Sequence, residues 1–254
     1  MTDTKHMLAD TGIIFGRCLR QTVRSRLSLI FGMLQPMLFL VFFGPLLRDM
    51  PLGGRGDSWQ ILIPGLLVQL GLFSSAFAGF GIIIEKQYGV IERMRVTPVS
   101  RLALLLGRLL RDALQLLVQS LVLVLVGVAL GLRAPVLGVA IGFLFVGVLA
   151  MSLASLSYAL GMRVSSPQEF APVVNSVNLP AMLLSGILLP MALAPAWLDV
   201  VSHFVPFRYL VDAVRAAFVG DYTGGTVALG AGVAVLLAAV SMTLGTRLFR
   251  RAGA

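Results

Sequence analysis

The feature that most restricts what this chain can fold into is a series of apolar runs, each about as long as a membrane is thick. They lie at about Ser28–Leu47, Ile61–Ile84, Asp112–Leu132, Val136–Met162, Ala171–Met191 and Thr226–Gly245. A bilayer's hydrocarbon core takes roughly 20 apolar residues per crossing helix. Inside it every backbone N–H and C=O must find a partner within the protein, which a helix provides along its own length and an open sheet does not. The residues outside the runs are too few to coat a soluble core: 58% of the chain is hydrophobic and 12% charged, whereas soluble domains run near a quarter charged. The expected fold is all-α, a polytopic integral membrane protein with six transmembrane helices in one membrane domain covering residues 1–254.

The connections refine this plan. Only Arg133, Ala134 and Pro135 separate the third and fourth runs, so those helices form a tight antiparallel hairpin, with Pro135 suited to a helix start. Before the first run, residues 9–27 carry Ile13, Ile14, Phe15, Leu19, Val23 and Leu27 at helical spacing among Arg17, Arg20, Arg24 and Arg26. This pattern predicts an amphipathic helix on the membrane surface, or else a plain basic flank. The polar start Met1–Asp10 lacks the apolar core of a cleavable signal, so the first span is expected to direct insertion. Residues 192–222 are apolar but interrupted by charges and by Pro195 and Pro206. Residues before proline resist the α region, which predicts two short helices, 196–204 and 207–219, forming a re-entrant hairpin at the outer face. In the six-span arrangement, 15 of the 20 Lys and Arg residues fall on one side and 5 on the other. The basic side faces the cytoplasm, and both termini lie there.

Several functions lack their chemistry. No GxxxxGK[ST] string is present to cradle a nucleotide phosphate. Ion-coupled carriers keep ionisable residues within their spans, but Glu85, Asp112 and Glu169 fall at span ends here, and the spans read as nearly charge-free. His6 and His203 are the only histidines, and no HExxH or GxSxG signature marks an enzyme. Ser152, Ser155 and Ser157 are expected to serve helix packing and backbone hydrogen bonding rather than nucleophilic attack. Cys18 is the sole cysteine, so no intrachain disulfide forms. The net charge of +9 comes from residues flanking apolar runs rather than from one basic stripe, and no nucleic-acid partner is expected.

The connection between the second and third runs carries the most information. It reads Glu85-Lys86-Gln87-Tyr88-Gly89-Val90-Ile91-Glu92-Arg93-Met94-Arg95-Val96-Thr97-Pro98-Val99-Ser100. A short helix here would present Tyr88, Ile91 and Met94 as an apolar ridge with a charged rim, a form that suits a groove on a partner protein. Pro98 would end it, and Ser100 would cap the helix running through Leu104, Gly107 and Arg108 into the third span. The stretch resembles the coupling loop of type-2 ATP-binding-cassette (ABC) permeases, with Glu85, Gly89, Glu92, Met94, Thr97, Pro98 and Ser100 on the family pattern. Gln87 stands where many members are acidic, and Val90 where many carry a small hydroxyl residue. A second similarity lies in Ser185-Gly186-Ile187-Leu188-Leu189-Pro190, then Pro195-Ala196-Trp197-Leu198, then Val205-Pro206-Phe207-Arg208-Tyr209 with Asp212, Ala213 and Arg215. The daunorubicin-resistance-like branch of multidrug exporters is the nearest resemblance.

The resemblance implies a permease subunit of an ATP-driven exporter in the bacterial cytoplasmic membrane, contributing to antibiotic resistance. It implies two permease copies, identical or related, with two cytoplasmic ABC ATPase subunits that bind the ATP, so that this chain needs no cofactor of its own. ATPase coupling is expected at Glu85, Tyr88, Gly89, Ile91, Glu92, Met94, Arg95, Thr97 and Pro98, within a coupling helix at 85–97. The aromatics Phe73 and Phe77 and the amides Gln35, Gln69, Asn175 and Asn178 are candidates for the substrate path, with no fixed charge among them. The amides serve equally well as interhelical hydrogen bonds. Such a path favours hydrophobic or amphipathic cargo, drugs or lipids; a lipid-linked polysaccharide or glycolipid is the alternative, and a membrane enzyme or uncoupled channel the alternative of a different class.

Overall fold

The computed structural model describes residues 2–24, 26–47, 57–89, 101–187, 191 and 194–252. Ten helices are described: α1 (Thr2–Arg24), α2 (Arg26–Leu47), α3 (Ser58–Ala76), α4 (Phe80–Gln87), α5 (Arg101–Leu130), α6 (Val136–Arg163), α7 (Pro167–Leu184), α8 (Ala196–Ser202), α9 (Pro206–Val219) and α10 (Thr226–Ala252). Four stretches are long and apolar enough to cross a bilayer: Ser58–Gln87, which joins α3 to α4, Ala103–Leu130, Val136–Arg163 and Thr226–Leu248. The other two expected spans are also helices. α2 has 22 residues and includes the apolar stretch Gly32–Leu46, and α7 has 18 residues interrupted by Pro172 and Pro180. The chain is thus an all-α polytopic membrane protein.

α6 lies at the centre, packed by α10, α3, α5 and α9. Leu66, Leu67, Phe145, Val146, Leu149, Val211, Val214 and Phe218 fill the space between them. Close approach depends on small residues, as is usual where lipid supplies no hydrophobic drive between helices. A Cβ on Gly138 of α6 would lie 2.0 Å from the carbonyl oxygen of Ala217 in α9. The expectation for the three serines holds. Ser155 Oγ in α6 lies 2.8 Å from the Ser152 carbonyl and 3.0 Å from the Ser241 carbonyl of α10, and Ser152 Oγ donates to Val148 O at 2.7 Å.

The second expected span departs from a single straight helix. Between α3 and α4, Phe77–Gly79 forms a turn whose hydrogen bonds close over three residues, from Phe80 N–H to Phe77 O and from Ile82 N–H to Gly79 O. The cause is a side chain from another helix. Ser157 Oγ of α6 accepts from Gly79 N–H at 2.8 Å and donates to the Ala76 carbonyl at 2.5 Å, occupying both backbone groups that a continuous helix would use itself. Insertion of a polar side chain into the i to i−4 ladder is a recognised origin of helix kinks.

The expected hairpin joins α5 to α6 through residues 131–135, with Pro135 immediately before α6. The two short helices expected between Pro195 and Tyr222 are present as α8 and α9. α9 begins at Pro206, and its residues Leu210, Val211, Ala213, Val214, Ala217 and Phe218 are buried against α3, α6 and α10. The α8–α9 elbow is held by Arg208, whose guanidinium pairs with Asp199 at 2.7 Å and Asp212 at 3.7 Å and also donates to Ser202 Oγ.

Candidate functional site

Four of the six residues singled out for a substrate path converge. Gln35 of α2, Gln69 and Phe73 of α3 and Phe77 of the α3–α4 turn line one cavity of about 420 Å³, closed on the far side by Arg111, Asp112, Gln115 and Gln119 of α5. These positions meet because Gln69 and Phe73 are one helical turn apart on α3, while Arg111, Gln115 and Gln119 follow the same spacing on α5. The other two residues lie elsewhere. Asn178 of α7 is buried beside a separate, apolar cavity lined by Leu72, Leu153, Val174 and Phe207, and Asn175 is half-buried on the same helix.

The absence of fixed charge expected for this path is overturned. α5 begins at Arg101, so Arg108, Arg111 and Asp112 stand well inside it. Asp112 pairs with Arg111 at 3.2 Å and accepts from the Tyr158 hydroxyl of α6. Arg108, only 5% exposed, pairs with Glu85 of α4. A second cavity of about 270 Å³ is lined by Glu85, Arg108, Arg111 and Tyr158 together with Cys18 and Thr22 of α1; both cavities share Ala78, Gly81, Arg111 and Gln115 on their walls. The two cavities adjoin along these residues and together make up a chamber of mixed polar and apolar lining, roomy enough for a small ligand. Arg111 Nη1 reaches Thr22 Oγ1 at 3.4 Å, which ties α1 to the same network. Burial on this inner face of α1 pushes the Cys18 thiol up from its ordinary range.

Gln69 differs from the other wall residues. It is 2% exposed, and neither its Oε1 nor its Nε2 has a hydrogen-bond partner among the described residues. Arg111 Nε is buried without a hydrogen-bond partner as well. An unpartnered buried amide costs free energy, and these atoms are closed off from the cavity itself. Among the described residues no group of three or more His, Cys, Asp or Glu side chains is placed to hold a metal ion.

Of the residues assigned to ATPase coupling, Glu85, Tyr88 and Gly89 are described, and Ile91, Glu92, Met94, Arg95, Thr97 and Pro98 lie outside the described residues. Glu85 faces the chamber through Arg108, Lys86 Nζ donates to the Met162 carbonyl at the end of α6 at 3.4 Å, and Tyr88 is 73% exposed. The end of α4 is therefore bonded to both α5 and α6.

Sequence reasoning missed Arg108, Arg111, Asp112 and Tyr158 as chamber residues and Arg215 as a structural centre. Arg215 Nε donates to Ile61 O at 3.1 Å, and its Nη2 donates to Gly186 O at 2.8 Å and Ile187 O at 3.0 Å. The available signal was the helix running from Ser100 through Arg108 into the third run. It places Asp112 three turns inside a helix rather than at an end.

The profile of the family described as "ABC-2 type transporter" matches residues 10–219. Among similar proteins, "Putative transport permease ycf38" of Cyanophora paradoxa is 27% identical over 208 residues, covering 80% of this chain and 72% of the relative. "Daunorubicin resistance ABC transporter permease protein DrrB1" of Streptomyces coeruleorubidus is 28% identical over 229 residues, covering 89% and 81%. "Probable doxorubicin resistance ABC transporter permease protein DrrC" of Mycobacterium tuberculosis is 25% identical over 217 residues, covering 84% and 78%.

Proposed function

This chain belongs to the ABC-2 type transporter family, and on that premise we propose that it exports hydrophobic or amphipathic compounds, drugs or lipids, across the bacterial cytoplasmic membrane. It is a multi-pass permease of the ABC exporter type, which works with an ABC ATPase partner. In the proposed assembly two permease copies, identical or related, bind two ATPase subunits that carry the ATP. Each permease crosses six times, with both termini in the cytoplasm.

The observation that carries the substrate reading is the meeting of Gln35, Gln69, Phe73 and Phe77 in one chamber. Flat aromatic faces and amides on one wall suit a ligand that is part apolar and part polar. Drug cargo is supported by the names of the relatives from Streptomyces coeruleorubidus and Mycobacterium tuberculosis. Power would enter at residues 85–97. Closure of the ATPases would press on Glu92, Met94 and their neighbours, and the Glu85–Arg108 pair would carry the movement into α5 beside the chamber. The four glutamines on the chamber wall favour a glycolipid or lipid-linked polysaccharide as the second reading, since sugar hydroxyls pair well with amides.

The test is reconstitution of the chain with its ATPase in proteoliposomes, followed by ATP hydrolysis and doxorubicin efflux. Stimulated hydrolysis is expected, and Glu92→Gln or Met94→Ala should abolish it while leaving membrane insertion unchanged. Unaltered stimulation in both variants would refute the coupling role. A photoreactive drug should cross-link at Phe73 or Phe77; labelling confined to Asn175 and Asn178 would move the path to α7.

A further inference from the structure

We infer that Gly81 is the throat of the chamber: its missing side chain lets one elongated cargo lie across both cavities, and residue size at this position sets the bulk of cargo the permease accepts. This deepens the exporter reading above and rests on it. Gly81 lies inside α4, where glycine is less favourable than alanine. The usual reasons for keeping a helix glycine are absent. Its φ is not positive, and nothing lies within 4 Å of an added Cβ. Gly12, Gly16, Gly147 and Gly232 also have open space over them, but of these helix glycines only Gly81 lines the chamber.

Position 81 is where the two cavities adjoin. The walls they share are Ala78 and Gly81 from one stretch of chain and Arg111 and Gln115 from α5. Two long side chains narrow that junction, and the two short residues keep it open. Helical spacing puts position 81 on the face of α4 that carries Ile84 and Glu85, and both of these line the smaller cavity. A side chain added at 81 would therefore project into the chamber. At about 270 Å³ the smaller cavity falls below the roughly 300–1,000 Å³ of drug-sized sites, and at about 420 Å³ the larger is near the lower end of that range. Only the two joined reach its middle. An aromatic body in the larger cavity would lie against Phe73 and Phe77 and pass its other end over Gly81 toward Thr22 and Glu85. These four residues are half-buried and so present surface to it. Selection at this point is by bulk, whatever the charge of the cargo.

The experiment measures equilibrium binding of a long and a short probe, doxorubicin and 1-naphthol, to the full chain in lipid nanodiscs, above binding to empty nanodiscs. The series is Gly81→Ala and Gly81→Leu. Both introduce better helix formers than glycine, so neither variant should melt below the native chain. Doxorubicin affinity is expected to fall about threefold with alanine and about thirtyfold with leucine, the scale of added bulk in a filled site. The 1-naphthol probe, which fits the larger cavity alone, should change less than about twofold, within a fraction of the same scale. Gly147→Leu, at an equally open glycine that lines no part of the chamber, should change neither. Unchanged doxorubicin affinity in Gly81→Leu, an equal loss for both probes, a like loss in Gly147→Leu, or no saturable doxorubicin binding to the native chain would each overturn the inference. With the ATPase added, doxorubicin binding that depends on position 81 but stimulates no hydrolysis would count against the exporter reading and leave the throat standing. Doxorubicin-stimulated hydrolysis equal in the native chain and Gly81→Leu would do the reverse.

Discussion

At Gly65 of α3 a methyl group would stand 1.9 Å from the carbonyl oxygen of Ile187, and this is backbone that cannot rotate away. That carbonyl is also one of the three held by Arg215, so any shift of the Gly186–Ile187 turn disturbs a buried guanidinium as well. Gly65→Ala should therefore lower stability by about 1–3 kcal/mol, the usual range for overpacking. Gly81→Ala is the control, since nothing lies within 4 Å of its added Cβ and alanine is the better helix former. Thermal melting of the two variants in detergent should show a clear drop for the first and no drop for the second. Equal melting temperatures would contradict the packing described. The identity of Gly65 is plain in the sequence, but its necessity is not, because the atom that excludes a side chain comes from a turn more than a hundred residues away.

At the scale of single helices, hydropathy and proline placement were enough to locate most elements. Each of the six apolar runs is helical over most of its described length, and Pro195 and Pro206 mark the starts of α8 and α9. The break between α3 and α4 left no mark in its own sequence, which contains no proline there, because Ser157 of α6 creates it. Ser157→Ala should leave Gly79 N–H and the Ala76 carbonyl without that partner, at a cost of about 1–3 kcal/mol, read as a lower melting temperature and faster amide exchange confined to residues 76–80. The charged cluster was equally hidden. Hydropathy counts Arg108 and Arg111 as topology signals, and only the packing of α4, α5 and α6 turns them into chamber walls. α1 makes a related point. It docks on α5 where a Cβ on Gly107 would lie 2.8 Å from Ile14 Cγ2 and 3.1 Å from Phe15 N. Gly107→Val should push the two helices apart, expose Cys18 and relieve the burial that holds its thiol up. Both effects raise the thiolate available for reaction, so maleimide labelling of Cys18 should quicken several-fold; an unchanged rate would mean α1 does not dock there.

The whole molecule shows where it meets lipid. Phe42, Leu144, Val177, Val235 and Leu236 each expose about two thirds of their surface, a quantity of apolar contact that water does not tolerate on a monomer. In the proposed six-crossing arrangement the 20 basic residues divide 15 against 5, which would put the side carrying α1 and the end of α10 in the cytoplasm. An alkaline phosphatase fused after Ala254 should therefore be inactive in cells, and a fluorescent protein at the same place bright. The reverse pattern would break the six-crossing arrangement and turn residues 196–219 into a span.

The interrupted second crossing has a mechanical consequence. α3 is clamped into the core over most of its length, whereas α4 is a stub of 8 residues, about 12 Å long, that turns at Gly79 against Ser157 of α6 and is tied at its far end through Glu85 and Lys86. A tilt of about ten degrees there carries the far tip about 2 Å, by the rise of 1.5 Å per residue. That is enough to part the Glu85 carboxylate from the Arg108 guanidinium while the upper part of the crossing stays still. A push arriving from the cytoplasmic side would thus work as on a short crank, opening or closing the chamber without reshaping the bundle around it.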